Sequence, residues 1–173
     1  MMDIKNLILT GLVTSYVFVL SFFTLFYHNP RYMLRMLPKD FAPHLETTTK
    51  KEMITYLKFM GYIALFLILY MSGSMYLCYK DRDVSFLTLF IEGYLVMMMM
   101  NIADFVIMDL ILFSISAKRF AEKLDMSVKD FRPFKCWKKH LVLEHILQSI
   151  FVLCPLIGII TGGLTWLLRL IIK

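Results

Sequence analysis

The stretch FLTLFIEGYLVMMMMNIADFVIMDLILFS, residues 86–114, decides the class of fold by its length and apolar character. A helix rises about 1.5 Å per residue, so roughly 20 apolar residues cross the roughly 30 Å hydrocarbon core of a bilayer. Three further runs of this kind lie at about 7–27, 59–79 and 141–168. The pattern predicts an all-α polytopic membrane protein, with residues 1–173 forming a single four-transmembrane-helix bundle.

The amino-acid composition is typical of a membrane protein. Of the 173 residues, 59% are hydrophobic, whereas a soluble domain is usually about 45–50% apolar. The formal net charge is +6, and the basic residues flank the apolar runs. We therefore expect the partners to be the lipid bilayer and its anionic headgroups, not nucleic acid. Nothing in the sequence predicts a bound cofactor.

The distribution of lysine and arginine predicts the orientation. Loop 28–58 holds 6 of these residues and loop 117–140 holds 8, whereas 5 lie elsewhere in the chain. Cytoplasmic loops of membrane proteins carry an excess of positive charge. The sequence therefore predicts a multi-pass protein of the cell membrane, with both long loops cytoplasmic and both termini extracytoplasmic.

Two local signals bear on the helix boundaries. The segment Thr49-Lys50-Lys51-Glu52 has the spacing of a capping box, which predicts a second helix that begins near Lys50. The alternative is that this segment is only loop. Pro155 lies inside the fourth apolar run and removes one backbone donor, so it predicts a kink in that helix.

Polar residues interrupt the third apolar run. Asn101 and Asp104 are three apart and share one helix face, and Asp109 lies within roughly 80° of Asn101. A carboxylate near the bilayer centre costs about 3 kcal/mol, so we expect these side chains to face the bundle interior. Asp109 should lie near the cytoplasmic rim. Glu92 points away from Asn101, near the outer end, where we expect it to reach water.

The start of the fourth helix carries polar residues on the same predicted cytoplasmic side. Glu144 and Gln148 are four apart and therefore share a face. Together with the third helix they predict a cytoplasm-facing polar pocket. The candidate ligand-binding residues are Asn101, Asp104, Asp109, Glu144, His145, Gln148 and Arg31.

Three interpretations of these residues remain open. They hold the helices together through hydrogen bonds, they bind a small polar molecule or lipid headgroup, or they form a metal or catalytic centre. His140 and Glu144 have a spacing compatible with metal ligands, but the second histidine of a zinc-binding HExxH helix is missing. The sequence has no nucleophile motif and no glycine-rich phosphate loop, so no catalytic residue is predicted.

The sequence thus favours a non-enzymatic binding, accessory or assembly component of unknown molecular activity. The alternative is a small membrane carrier or membrane-embedded enzyme that acts on a lipid or small polar substrate at the pocket. Gly158 and Gly162 are four apart on the fourth helix and permit close helix approach. This pair predicts contact with a second copy or a membrane partner, or else packing within the chain.

Short motifs also point to a family. Asn29-Pro30-Arg31 and Pro38-Lys39-Asp40 follow the first helix, and Asn101-x2-Asp104-x4-Asp109 lies on the third. In these features the chain resembles a family of small four-helix membrane proteins from Gram-positive bacteria. The resemblance implies a bacterial cell-membrane protein and no particular activity.

Overall fold

The computed structural model describes residues 2–35, 48–130 and 138–172, and within these ranges it contains helices and no strands. Helix α1 is Ile4–His28, α2 is Lys50–Tyr79 and α3 is Phe86–Leu124. Helix α4 comprises Lys138–Leu141, Val142–Leu153 and Cys154–Ile171 in continuous succession. Short 3₁₀ helices occur at Pro30–Arg35 and Val128–Asp130.

All four helices are long and apolar enough to cross a membrane, so the predicted all-α, four-helix architecture is confirmed at that level. Both chain ends and the α2–α3 hairpin lie at one end of the bundle, which we call the terminal end. The opposite end, where α1 ends and α2 begins, is the loop end. The Pro38-Lys39-Asp40 motif lies outside the described residues.

The helix starts follow the local signals. The Thr49 capping box is confirmed: the Glu52 backbone N–H donates to Thr49 Oγ1 at 3.2 Å, and the Thr49 N–H donates to Glu52 Oε2 at 2.7 Å. Helix α2 therefore begins nine residues before the predicted apolar run at 59. Helix α1 ends before Asn29, whose extended backbone is favoured by the proline that follows it.

Helix α3 corrects one predicted boundary. The loop expected from residue 117 begins later, because the segment Phe113–Leu124 continues the helix. This segment is amphipathic, and it buries Phe113, Ala117 and Phe120 on one face against the aromatic residues at the end of α1. The helix stops at Asp125, whose backbone is left-handed with φ of 53°.

Close packing of α3 against α4 depends on glycines. A Cβ atom at Gly158 would lie 2.8 Å from the Phe90 backbone oxygen, and one at Gly162 would lie 3.0 Å from the Phe90 nitrogen. Either atom would force the two backbones apart. Of the alternatives for this glycine pair, the structure shows packing within the chain.

Both α3 and α4 contain π-helical segments, Asp104–Leu112 in α3 and Val142–Leu153 in α4. Their backbone bonds connect residues five apart instead of four, which turns side chains to directions that an α-helix does not give. In α4 this segment stops just before Pro155, where α-helical geometry resumes.

Pro155, predicted to kink the helix, thus lies next to a change of helix type. Its ring would clash with the fourth preceding carbonyl in a regular α-helix, so the wider turn before it accommodates the proline.

A polar network closes the terminal end and corrects the expectation for Glu92. This carboxyl group is 0% exposed and does not reach water. Asn6 Nδ2 of α1 donates to its Oε1 at 2.8 Å, and the Tyr79 hydroxyl of α2 donates to its Oε2. Because both oxygens have donors from neighbouring helices, the carboxyl group is accommodated inside the bundle.

Candidate functional site

A second polar part of the interior is built around His145 of α4, which is 5% exposed. Its Nδ1 lies 2.9 Å from Asn101 Oδ1, and its Nε2 lies 2.7 Å from Asp109 Oδ2. The Asn101 amide nitrogen donates to the His145 backbone oxygen at 3.0 Å. Both acidic and amide partners come from α3, so this triad of side chains joins the π-helical part of α4 to α3.

These contacts fix where protons must lie. The Asn101 nitrogen donates to a carbonyl, so the Asn101 atom facing Nδ1 is the oxygen, which can only accept. His145 Nδ1 therefore carries a proton. A second proton lies between Nε2 and Asp109, giving either an imidazolium–carboxylate pair or an imidazole–carboxylic acid pair. In both forms the pair has no net charge, so its burial costs far less than that of a lone ion.

A cavity of about 310 Å³ lies beside this triad, and all four helices contribute to its wall. Its apolar wall comes mainly from α1 and α2 and includes Phe18, Phe22, Met60, Ile63, Leu67 and Met71. The polar side chains that line it are Tyr56, Asn101, Asp104, Glu144, Gln148 and Ser149. The cavity therefore combines a large apolar surface with a small polar region, as ligand sites commonly do.

Asp104 lines this cavity, and one of its carboxyl oxygens is unsatisfied. Its Oδ1 is buried, and it has no hydrogen-bond partner among the described residues. The charged or polar groups near its carboxyl are Asp109, Glu144 and His145. An unpaired buried carboxyl oxygen costs about 1–3 kcal/mol or more of free energy. A hydrogen-bond donor on a bound ligand would therefore recover part of that free energy.

The exposed lining residues show where the cavity opens. Ala64 of α2 is exposed, as are Gln148 and Leu153 of α4. Phe22 and Tyr56, which lie toward the loop end, are buried. The mouth therefore faces sideways, between α2 and the π-helical part of α4.

The predicted pocket residues divide into three groups. Asn101, Asp104, Glu144 and Gln148 line the cavity together. His145 and Asp109 lie behind it in the triad. Arg31 lies apart, at the loop end, where its Nε donates to Glu52 Oε1 at 2.7 Å.

Among the residues that the structure describes, no group of three histidine, cysteine or acidic side chains is arranged so that it could hold a metal ion. The two residues whose spacing in the sequence is compatible with metal ligands are His140 and Glu144. The side chain of His140 lies outside the described residues, and Glu144 lines the cavity.

Sequence reasoning missed Tyr56 and the apolar wall. Tyr56 precedes the predicted span at 59–79, so no signal connected it with residues on α3 and α4. The α2 capping box was the one usable clue, because a helix starting at Lys50 brings Tyr56 into the bundle.

Comparison of the chain with protein-family models, curated proteins and solved structures gives no match. The resemblance to the four-helix family of Gram-positive bacteria therefore stays a prediction.

Proposed function

We propose that this chain is an integral protein of the cell membrane that binds an amphipathic small molecule in the cavity between its four helices. Four apolar helices and large exposed hydrophobic side chains along their outer faces support membrane insertion. The lysine and arginine asymmetry supports cytoplasmic loops and extracytoplasmic termini.

One observation carries the binding proposal. The cavity of about 310 Å³ is lined both by aliphatic and aromatic side chains and by Asp104, whose carboxyl group has one buried oxygen with no partner among the described residues. A ligand with an apolar body and a hydrogen-bond donor at one end satisfies both surfaces at once. A sideways mouth lets such a molecule enter from the bilayer, where amphipathic compounds concentrate.

The geometry favours binding over catalysis. His145 is the strongest candidate for a general base, but its two ring nitrogens are both engaged, with Asn101 and Asp109. A general base needs a nitrogen within hydrogen-bond reach of the substrate proton. The triad is therefore better suited to joining α3 and α4 beside the cavity than to attacking a ligand inside it.

The test is to narrow the mouth of the cavity. Ala64→Trp places a large ring at the exposed edge of the cavity, whereas Leu65→Trp places the same ring on the outward face, since Leu65 is 56% exposed. Native mass spectrometry of protein purified from membranes should show a bound small molecule in the wild type and in Leu65→Trp. It should be lost in Ala64→Trp. Equal occupancy in the two variants, or an empty wild type, would contradict the proposal.

A further inference from the structure

We propose that the ligand is a lipophilic protonated amine, whose ammonium group displaces a proton from Asp104 when it binds. This inference rests on the proposed function, since it names the class of molecule that the cavity takes. It also adds a property that the binding proposal lacks, namely that binding releases a proton.

The charged side chains of the cavity wall favour a ligand with a positive charge. Two carboxyl side chains line it, Asp104 and Glu144, and no lysine or arginine lines it among the described residues. An anionic headgroup or phosphate would find neutral donors such as Gln148 in the cavity but, among the described lining residues, no cationic side chain to pair with its charge. A cation with N–H donors meets the carboxyl group of Asp104, one oxygen of which, Oδ1, has no donor among the described residues.

The surroundings of Asp104 determine its state in the empty cavity. From its own helix it faces Asp109, and from α4 it faces His145 and Glu144. Helix α2 contributes Tyr56 to the same cavity, and α1 contributes the apolar rings of Phe18 and Phe22.

None of these groups neutralises an Asp104 carboxylate. The His145–Asp109 pair has no net charge, and both imidazole nitrogens of His145 already have partners. Glu144 adds a second acid. A lone carboxylate in such a site is costly, so Asp104 holds its own proton until a cation replaces it.

Binding exchanges one proton on Asp104 for one ammonium group. The amine leaves one proton in bulk water and enters from the bilayer in its neutral form; in the cavity the O–H bond of the Asp104 carboxylic acid breaks as an N–H bond to the amine forms. The carboxylate then accepts a hydrogen bond from the ammonium of the ligand. No electron is transferred and no covalent bond forms between the protein and the ligand. The ligand's hydrocarbon lies against the apolar wall, where aromatic rings also favour a nearby cation.

The experiment uses two probes of matched shape, 4-phenylbutylamine and 4-phenylbutan-1-ol, titrated into the full chain in lipid nanodiscs. Calorimetry in two buffers with different ionisation enthalpies gives the number of protons released. We expect the amine to bind about tenfold or more tightly than the alcohol, with close to one proton released per amine. Amine affinity should rise with pH by up to about tenfold per unit while the exchange operates.

Two substitutions localise the effect. Asp104→Asn keeps the shape of the side chain, and it should weaken amine binding about tenfold or more and abolish proton release. Asp104→Glu, which retains an acid, should keep proton release. Asp81→Asn, in the exposed α2–α3 hairpin, is the matched control and should change neither quantity.

Each contrary result is distinct. Equal binding of amine and alcohol overturns the inference and leaves ligand binding in the cavity intact. Tight amine binding without proton release, or with release that survives in Asp104→Asn, overturns the exchange at Asp104. Binding of neither probe overturns the inference, and the Ala64→Trp mass spectra then decide the proposed function separately.

Discussion

His145 Nε2 lies 2.7 Å from Asp109 Oδ2, and this contact joins the π-helical segments of α3 and α4. Asn101 holds the other ring nitrogen, so the imidazole has a fixed orientation. Segments of π-helix occur frequently at functional sites. Here they bring the triad and the polar side of the cavity together at one level of the bundle.

The first prediction concerns this pair. His145→Leu and Asp109→Leu should each lower the free energy of unfolding by about 1–3 kcal/mol, because each leaves a buried polar partner unsatisfied. The double variant should lose clearly less than the sum, since it leaves neither His145 nor Asp109 buried without the other, while the loss at Asn101 is the same as in the single His145 variant. Equilibrium unfolding in mixed detergent micelles measures the cycle. Strictly additive losses would show that the two side chains do not interact.

The second prediction contrasts two polar residues three positions apart on α3. Asn101→Leu should lower the free energy of unfolding by about 1–3 kcal/mol, because it removes both hydrogen bonds to His145. Asp104→Leu should leave stability unchanged or raise it, because the Oδ1 atom it removes has no partner. It should nevertheless abolish ligand binding. Thermal unfolding in detergent checks both, and strong destabilisation by Asp104→Leu would indicate a structural role for this carboxyl group.

The grouping of Asn101, Asp104, Glu144 and Gln148 could be predicted because polar side chains in apolar helices must share an inward face. The contact between His145 and Asp109 could not, since helical-wheel angles assume α-helical geometry and these residues lie in π-helical segments. Glu92 was misjudged for another reason. Its donors, Asn6 and Tyr79, come from other helices, and spacing within one helix gives no information about them.

The helix boundaries also include some that could be predicted from the sequence and one that could not. The length of the apolar runs located all four helices, each of which is long and apolar enough to cross a membrane. It did not show that α3 continues to Leu124, since that segment is amphipathic and is stabilised by packing against the aromatic residues of α1.

The third prediction tests the close approach of α3 and α4. Gly158→Ala should lower the free energy of unfolding by about 1–3 kcal/mol, because its Cβ would lie 2.8 Å from a backbone oxygen of α3. Gly163→Ala on the same helix has nothing within 4 Å of its Cβ. It should be neutral or stabilise by up to about 1 kcal/mol through helix propensity. Comparison of the two unfolding curves measures the difference, and equal effects would contradict the packing.

The fourth prediction concerns pH at the terminal end. The backbone N–H of Asn6, and then Arg82, hold the pKa of the Asp3 carboxyl below its ordinary value of 3.8. A carboxyl with a lowered pKa contributes stability that is present above its ordinary pKa and is lost as pH falls through the lowered value.

Asp3→Asn keeps a good helix cap without the charge. It should therefore flatten the decline in thermal stability below about pH 4. Melting temperatures measured from about pH 2 to pH 6 provide the test. If the melting temperature of Asp3→Asn fell with pH as steeply as that of the wild type, Asp3 would contribute nothing to the loss of stability in acid.

The fifth prediction concerns orientation. In a cysteine-free background, Asp81→Cys in the α2–α3 hairpin should react with a membrane-impermeant maleimide in intact cells. Lys123→Cys, near the end of α3, should react only after permeabilisation. The physical reason is the retention of positively charged loops in the cytoplasm. The reverse pattern of labelling would overturn the assigned orientation.

The most direct test of the central claim is to locate a bound ligand within the bundle. A phenylalkylamine that carries a photoreactive diazirine, cross-linked in nanodiscs and mapped by peptide mass spectrometry, reports which side chains it touches. We predict adducts on cavity residues such as Met60, Met71 and Met100, which should be lost in Ala64→Trp and retained in Leu65→Trp. Adducts confined to outward-facing residues such as Leu12 and Leu20, unaffected by Ala64→Trp, would contradict it.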